Sequence, residues 1–520
     1  MSATANAIAL DHPMRFQFPL PEARNAPIDI ALPPLRQGIV LPPLPLNDTP
    51  IHNTLGWDTV FAVPVVEVNK HFSRPDLYPL DFEGTLSGAL FTVNVSGVFR
   101  PWSIALNGSG AILNLSIPIA SGRMTGGQTG TAVVLAGGSI SVEVKLNYLP
   151  QPAQGPAGTP NQLQVSTKAI NATGNIAQVT NVAVPGQTDQ TLLGAIQGAF
   201  QDFFNKHLDR ITYVFNTVNL GAVADQDAFT WLQPTYTSYA YYDAPTLDRA
   251  VFGVLCMVSG NSPGQNSNQI GPGSIPSGAQ SGFNISDQLF MKRMVLPVMA
   301  NSFNAGNSAT IDQTYFKITN NDTVISNAKT IPMPKVRHGS INYHPKCTDF
   351  KVTLQATQII VYSKVHIEIS PGIDAYVEST NYFDLKLQTD DKGNQYLAYE
   401  IAAPARTHHW VDVATGIVIA GIVIGIVGAV AAGVAAKILE GAMRVVVGII
   451  IVVVAGVAAA VPQLIAKITS SGVIGHLPSI GALVTAATNK IKWSGGQDFD
   501  IKLVQLNGSL QMGGLAFPTN

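Results

Sequence analysis

The sequence predicts an α+β protein in which antiparallel strands surround a few long helices, with an apolar helical hairpin near the C-terminus. Three observations carry that expectation. Segments with period-two alternation recur in both halves of the chain, the mark of half-buried antiparallel strands. A long stretch beginning near Thr188 instead steps by three and four, as one face of a helix does. Two runs without a single charge follow after residue 412. Runs of strands interrupted by a few long helices fit an α+β architecture and not a parallel α/β one.

Residues 1–50 form a Pro-rich leader (FQFPLPEAR, IALPPLRQGIVLPPLPLNDTP). Prolines at this density rule out helix and central strand, leaving an extended arm. Two uses remain open for it: a strap along the domain, or a motif read by an aromatic groove. The rest, 51–520, reads as one large domain. Its first strands lie between Asn53 and Leu149. Phe91, Val93 and Val95 alternate with Thr92, Asn94 and Ser96, and Leu113–Ile119 and Val142–Leu146 repeat the pattern.

From Thr188 to Ile211 the apolar positions are Leu192, Leu193, Ile196, Phe200, Phe203, Phe204, Leu208 and Ile211. They define one face of a long helix that Thr188 or Asp189 can cap. Three phenylalanines on one stripe give that face a large apolar payload. Strands resume through the aromatic-rich FTWLQPTYTSYAYYD and LDRAVFGVLCMVSG. The polar stretch 259–282 (SGNSPGQNSNQIGPGSIPSGAQSG) is expected to be a mobile loop, because it has little apolar area to bury. A second helix is expected over Ser286–Met299, ended or kinked by Pro297. Alternation returns at Phe350, Val352 and Leu354, then at Val365, Ile367 and Ile369, and at Phe383, Leu385 and Leu387.

The apolar hairpin is expected over 411–467. Residues 413–436 and 445–466 carry no charge, and KILEGAMR between them holds Lys437, Glu440 and Arg444. Each run is long enough to cross a bilayer, which takes about 20 apolar residues. Gly421 and Gly425 have the spacing of packed membrane helices. Three readings stay open: helices buried in a soluble protein, a hairpin that enters a membrane, or buried strands. Strands that resume in DFDIKLVQLNGSLQMGGLAF favour the first.

Composition narrows the function classes. Charged residues make up 12% of the chain, against about 25% in an average soluble domain. Hydrophobic residues reach 46%, so apolar surface must be hidden in the fold, in partners or in lipid. Net charge is −2 and no basic run occurs, which argues against nucleic-acid binding. Cys256 and Cys347 make no disulfide framework and are expected to be buried thiols. The N-terminus has no secretory signal pattern, so the chain is expected to be cytoplasmic as synthesised, with any release by a non-classical route.

No catalytic constellation emerges. Gly260-Asn261-Ser262-Pro263-Gly264 matches G-x-S-x-G, but that elbow needs a strand–turn–helix setting and the N–H that Pro263 lacks. His338, His344 and Cys347 have no further ligand at zinc spacing. His408 and His409 adjoin Trp410 at the edge of the apolar run, a place suited to an interface. No cofactor motif is present, and no enzyme is expected.

Three segments resemble a known family. They are NTLGWDTVFAVPVVEVNK from Asn53 to Lys70; Phe99-Arg100-Pro101-Trp102-Ser103-Ile104 with Asn107-Gly108-Ser109-Gly110 and Ile117–Gly122; and Trp231-Leu232-Gln233-Pro234-Thr235 with Ser238-Tyr239-Ala240-Tyr241. These resemble the bacterial family typified by the forty-seven-kilodalton accessory protein of clostridial OrfX-type neurotoxin gene clusters. With the long helix they span most of 53–260. The Pro-rich leader stands outside the family pattern. The resemblance implies a TULIP-type (tubular lipid-binding) fold, in which a strongly curved antiparallel sheet wraps a long helix and holds lipid between them. It brings no catalytic residues, and Trp57, Trp102 and Trp231 are expected to serve folding.

The leading expectation is therefore a non-enzymatic accessory protein that binds lipid or another apolar ligand beside toxin-cluster protein partners. Phe200, Phe203, Phe204 and Leu208 are the candidate lining residues, equally expected as plain core. The alternatives are a structural or interaction component without ligand, and a membrane-inserting effector using 413–466.

Overall fold

Among the described residues the strands assemble into three large antiparallel sheets and a two-stranded ribbon (Val336–His338 with Ile341–Tyr343), and two long helices pack on the two largest sheets. The computed structural model describes residues 28–29, 52–88, 91–127, 130, 132–149, 160–168, 177–220, 227–304, 307–389, 393, 395–414, 421–455 and 480–518. Of the Pro-rich leader, only Ile28–Asp29 is described, pairing with Val411 and Trp410.

The N-terminal sheet has ten strands, with its main order Ile491–Trp493, Asn216–Asn219, Pro160–Val165, Ser139–Leu149, Ile112–Gly126, Thr92–Phe99, Asp81–Ser87. Its alternation is the one the sequence shows: Val93, Val95, Leu113, Leu115, Ile117, Val142 and Val144 are all buried. The short helix α1 (Val65–Phe72) ends one of the central strands, and α2 (Gln190–His207) lies across the N-terminal sheet.

A six-stranded central sheet draws on both ends of the chain. Its order is Pro234–Tyr242, Val251–Val258, Thr59–Pro64, Ser281–Ser286, Ser509–Leu515, Asp500–Leu506. The eight-stranded C-terminal sheet is built around the long strands Lys346–Gln355, Gln358–Ser370, Ile373–Thr389 and Gln395–Val413.

The expected second helix starts where predicted, with Ser286 accepting a bond from Leu289 N–H. It is not uniform. A four-residue α3 (Asp287–Phe290) passes through a π-turn, Met291–Val295, and a 3-10 turn, Leu296–Val298, into α4 (Met299–Asn304). Pro297 sits in the 3-10 turn, and its missing N–H and ring explain the departure from regular α geometry.

Two expectations need correction. The apolar hairpin has no turn at its centre: α5 runs unbroken from Gly421 to Ala455, straight through Lys437–Arg444. The charges there favour helix, because Lys437 and Glu440 pair at 3.0 Å three residues apart and Glu440 pairs with Arg444 four residues on. The start placed at residue 411 is also strand, since Gln395–Val413 extends past it. Residues 456–466 of the proposed second arm lie outside the described residues. The last helix, α6, is Gly481–Thr488. Among the described residues one 33-residue helical stretch, Val423–Ala455, is long and apolar enough to cross a membrane, and it packs on the C-terminal sheet, on 287–304 and on α6. Every residue from Val445 to Val454 is buried. Toward the other end Ile424 is 42% exposed.

The polar stretch 259–282, expected to be mobile, is a loop tied closely to the central sheet. Asn266 Nδ2 donates to Gly56 O at 2.7 Å, Asn268 Nδ2 donates to Ser238 Oγ at 2.7 Å, and Trp57 Nε1 donates to Ser267 O at 3.0 Å. Its asparagines satisfy backbone groups that a purely apolar count overlooks.

Candidate functional site

The candidate site is the apolar stripe of α2. Asp189 caps the helix, its Oδ1 accepting from Thr191 N–H at 2.9 Å and Leu192 N–H at 3.3 Å. With the start fixed, the steps of three and four bring Ile196, Phe200, Phe203 and Phe204 onto one buried face. Leu208 follows in a single 3-10 turn, Leu208–Arg210. The four predicted residues come together as read from the sequence, each 3% exposed or less.

What they touch is protein. Phe200 faces Phe82 with ring centroids 5.0 Å apart. Phe203 meets Phe99 at 5.8 Å, and Phe204 meets Trp102 at 5.8 Å. Phe82 and Phe99 stack at 4.5 Å, while Trp102 stacks on Tyr78 at 4.9 Å. Most of these centroid distances and tilts are those of favourable aromatic pairs.

The helix also approaches the sheet closely at this point. A Cβ on Gly84 would stand 2.4 Å from Ala199 O, and one on Gly198 would stand 2.9 Å from Leu86 Cδ2. Glycine is needed at position 84 for the backbones to meet, whereas at 198 the added atom would meet only the end of the Leu86 side chain.

A second row of contacts fixes the flank of α2. Gln197 Nε2 donates to Val179 O at 2.7 Å, and Gln201 Nε2 donates to Ala177 O. In return Gln201 Oε1 accepts from Val179 N–H at 2.8 Å, and Asn205 Oδ1 accepts from Ala177 N–H at 3.2 Å. Amides at every fourth residue thus pair with the strand Ala177–Ala183 much as another strand would. Sequence reading missed this row, although the spacing Gln197, Gln201, Asn205 is its signal.

Other candidates separate. Cys347 is fully buried, whereas His338 and His344 are exposed, so the three do not converge. Among the described residues no group of three His, Cys, Asp or Glu could hold a metal ion. Burial pushes both thiols up to about 12, leaving them protonated at neutral pH. Ser262 lies in the loop after Val251–Val258, with no helix following it to form an elbow. A cleft of 320 Å³ opens on the outside of the C-terminal sheet beside His344, Lys346, His366 and Glu368. His366 Nε2 lies 2.9 Å from Asp374 Oδ1, beneath a ring stack of Tyr376, Trp410 and His408.

The profile of the OrfX-like family, described as Protein OrfX2/OrfX3/P47, matches residues 54–514. The chain belongs to the OrfX-like family. Its match begins just after the Pro-rich leader. Protein OrfX3 of Clostridium botulinum (strain Kyoto / Type A2) is 27% identical over 505 residues, covering 89% of this chain and 98% of that protein. Protein OrfX3 of Paraclostridium bifermentans is 24% identical over 489 residues, with the same two coverages. The solved structure of P47 from Clostridium botulinum A2 shares the fold, with a TM-score of 0.57 at 18% identity over 90% of this chain and 99% of that one.

The segments that carry the resemblance acquire physical roles here. Leu55 and Gly56 both take positive φ, 56° and 88°, and this corner delivers Trp57 to a site where it is 1% exposed. Trp102 is fully buried against the α2 stripe, and Trp231 is partly buried beside the main core.

Proposed function

We propose that this OrfX-like chain is a non-enzymatic accessory protein of a toxin gene cluster, acting as a packed scaffold that engages protein partners through its surface. The observation that carries the reading is the closure of α2 on its sheet. Its phenylalanines pack on Phe82, Phe99 and Trp102, and Gly84 allows helix and strand to touch. Family membership supplies the toxin-cluster context.

A second reading is carriage of lipid or another apolar ligand in a TULIP-type fold. It is favoured by the placing of one long helix on each of two large sheets, and by the uncovered N-terminal end of α5, where Ile424 is 42% exposed. In that reading Phe200, Phe203, Phe204 and Leu208 would line the ligand, and the exposed end of α5 would be the part that meets a membrane surface.

Solvent extraction of the purified chain followed by mass spectrometry, with uptake of a labelled phospholipid, separates the two. The scaffold reading expects no stoichiometric lipid and no uptake. A bound lipid near one per chain would overturn it. Pull-down with co-expressed toxin-cluster proteins should capture at least one of them, and failure with every one would remove the partner half of the proposal.

A further inference from the structure

His52 stands where the described chain enters the central sheet, and it is 3% exposed. Its backbone N–H donates to Asn507 O at 3.1 Å. Its ring lies on the loop: a Cβ at Gly271 would come 3.5 Å from His52 Nδ1, and one at Gly273 would come 3.4 Å from His52 Cβ. The ring Nε2 is buried with no hydrogen-bond partner among the described residues. His52 therefore sits in a seam among three segments: the start of the domain, the loop 259–282 and the turn 506–509.

The loop is held over the sheet by polar and apolar contacts. Gln511 Nε2 donates to Gly273 O at 2.8 Å and to Asn284 Oδ1 at 2.9 Å, and Asn284 Nδ2 donates to Ser274 O at 2.8 Å. Ile270 seats on Gly253, where a Cβ would come 2.3 Å from Ile270 Cδ1. Beneath lies a small apolar cluster separate from the main core: Trp57, Val60, Ala62, Leu255, Met257 and their neighbours.

Among the described residues no anionic partner faces the imidazole. The loop 259–282, the turn 506–509 and the strands Thr59–Pro64, Ser281–Ser286 and Ser509–Leu515 contain no charged residue. Cys256, the titratable group of Val251–Val258, has its thiol pushed up to about 12. Asp58 makes its bonds away from the ring, accepting from Val258 N–H at 2.9 Å and from Asn261 Nδ2 of the loop itself at 2.9 Å, with Lys292 and Arg293 acting on it. Asp287 lies past the end of its strand, where it starts α3.

We propose that the loop 259–282 is an acid-released cover whose trigger is His52: protonation places an unpaired charge in the seam, and the loop lifts to uncover the apolar patch around Trp57 and Leu255. The sign follows from burial. Desolvation lowers the imidazole from 6.5 to about 4 in the closed form, while an opened, solvated ring returns to its ordinary value near 6.5. Above that value neither form holds the proton. As pH falls below it, the open form binds a proton that the closed form refuses, so the closed form loses ground until about pH 4. A gap of that size corresponds to roughly a 300-fold change in the closed-to-open ratio.

Hydrogen exchange with mass spectrometry on the full chain, from about pH 7.5 to about pH 4 and corrected for intrinsic rates, tests this. Peptides over 259–282 should lose protection as pH falls while those over α2 keep theirs, and Trp57 emission should shift to the red. His52→Gln, which cannot titrate, should hold the loop closed over the same range. Three outcomes overturn the proposal: a loop that stays protected to pH 4, loss of loop and α2 protection together, or a His52→Gln curve that follows the wild type. If that variant does not fold, the comparison of loop with α2 in the wild-type chain decides alone.

Discussion

Truncating Phe204 to alanine tests whether the α2 stripe is core or ligand lining. The ring is 2% exposed and has three aromatic neighbours: Phe203 at 5.2 Å, Trp102 at 5.8 Å and Phe99 at 6.2 Å. Removing it loses about 2 kcal/mol of transfer free energy. The neighbours belong to a stiff sheet and a capped helix, so the void cannot collapse far. At about 24 cal/mol per Å³, a void of roughly 100 Å³ adds about 2.4 kcal/mol. The sum, about 4 kcal/mol, lies within the usual range for Phe→Ala in a core. Urea unfolding followed by tryptophan fluorescence should show a lower midpoint at unchanged slope. Benzene should partly restore the midpoint, because an apolar void lined by rings stays dry and takes such a guest. A loss below about 1 kcal/mol would refute the packed-core argument, since a ring that borders open space leaves no new void behind.

Gly441 offers a test of the continuous helix, because a side chain there meets nothing within 4 Å. Gly441→Ala should stabilise the protein by up to about 1 kcal/mol, and Gly441→Pro should cost about 3 kcal/mol or more, both read from thermal unfolding. A turn at this point would give the opposite order. Asp189→Ala should cost about 1 kcal/mol through loss of the cap, seen as faster amide exchange in the first turn of α2; unchanged exchange would rule out the cap. Cys256 and Cys347 should resist a thiol reagent at about pH 8, because burial holds both near 12. Both should react once the chain is unfolded in denaturant, and labelling of either in the native chain would contradict its burial.

Sequence pattern revealed local structure well and pairing poorly, for a physical reason. Alternation at Val142, Val144 and Leu146 reports one face of one strand, and the cap and stripe of α2 likewise lie within a single segment. The choice of sheet does not. Thr59–Pro64 lies between Val251–Val258 and Ser281–Ser286, and nothing in its six residues encodes partners about two hundred positions away. The site shows the same division. The Phe stripe could be read directly, but its contacts with Phe82, Phe99 and Trp102 depend on strand register. The loop 259–282 misled because its asparagines anchor backbone through their amides, an effect that hydropathy does not measure. At Lys437–Arg444 the charges suggested a surface turn, whereas their spacing of three and four is what a helix uses.

The central sheet sets how this scaffold can respond to a partner. Strands from near residues 60, 255, 285 and 510 lie side by side within it, so Thr59–Pro64 and Ser509–Leu515 are joined through Ser281–Ser286 from the middle of the chain. Backbone bonds join it to both neighbours: Gly508 N–H donates to Ala356 O in the turn between two strands of the C-terminal sheet, and Gly110, which follows the N-terminal-sheet strand Ser103–Ser109, exchanges both backbone bonds with Tyr241. Parting the two helix-bearing sheets would therefore break backbone bonds as well as side-chain packing. Opening confined to the cover over Trp57 breaks mainly side-chain bonds, those of Gln511, Asn284, Asn261, Asn266, Asn268 and Trp57, with the backbone bond from Gln280 N–H to Gly514 O and the seat of Ile270 on Gly253. A conformational response in this fold is accordingly expected at that cover, and limited proteolysis at acid pH should cut within 259–282 before it separates the halves.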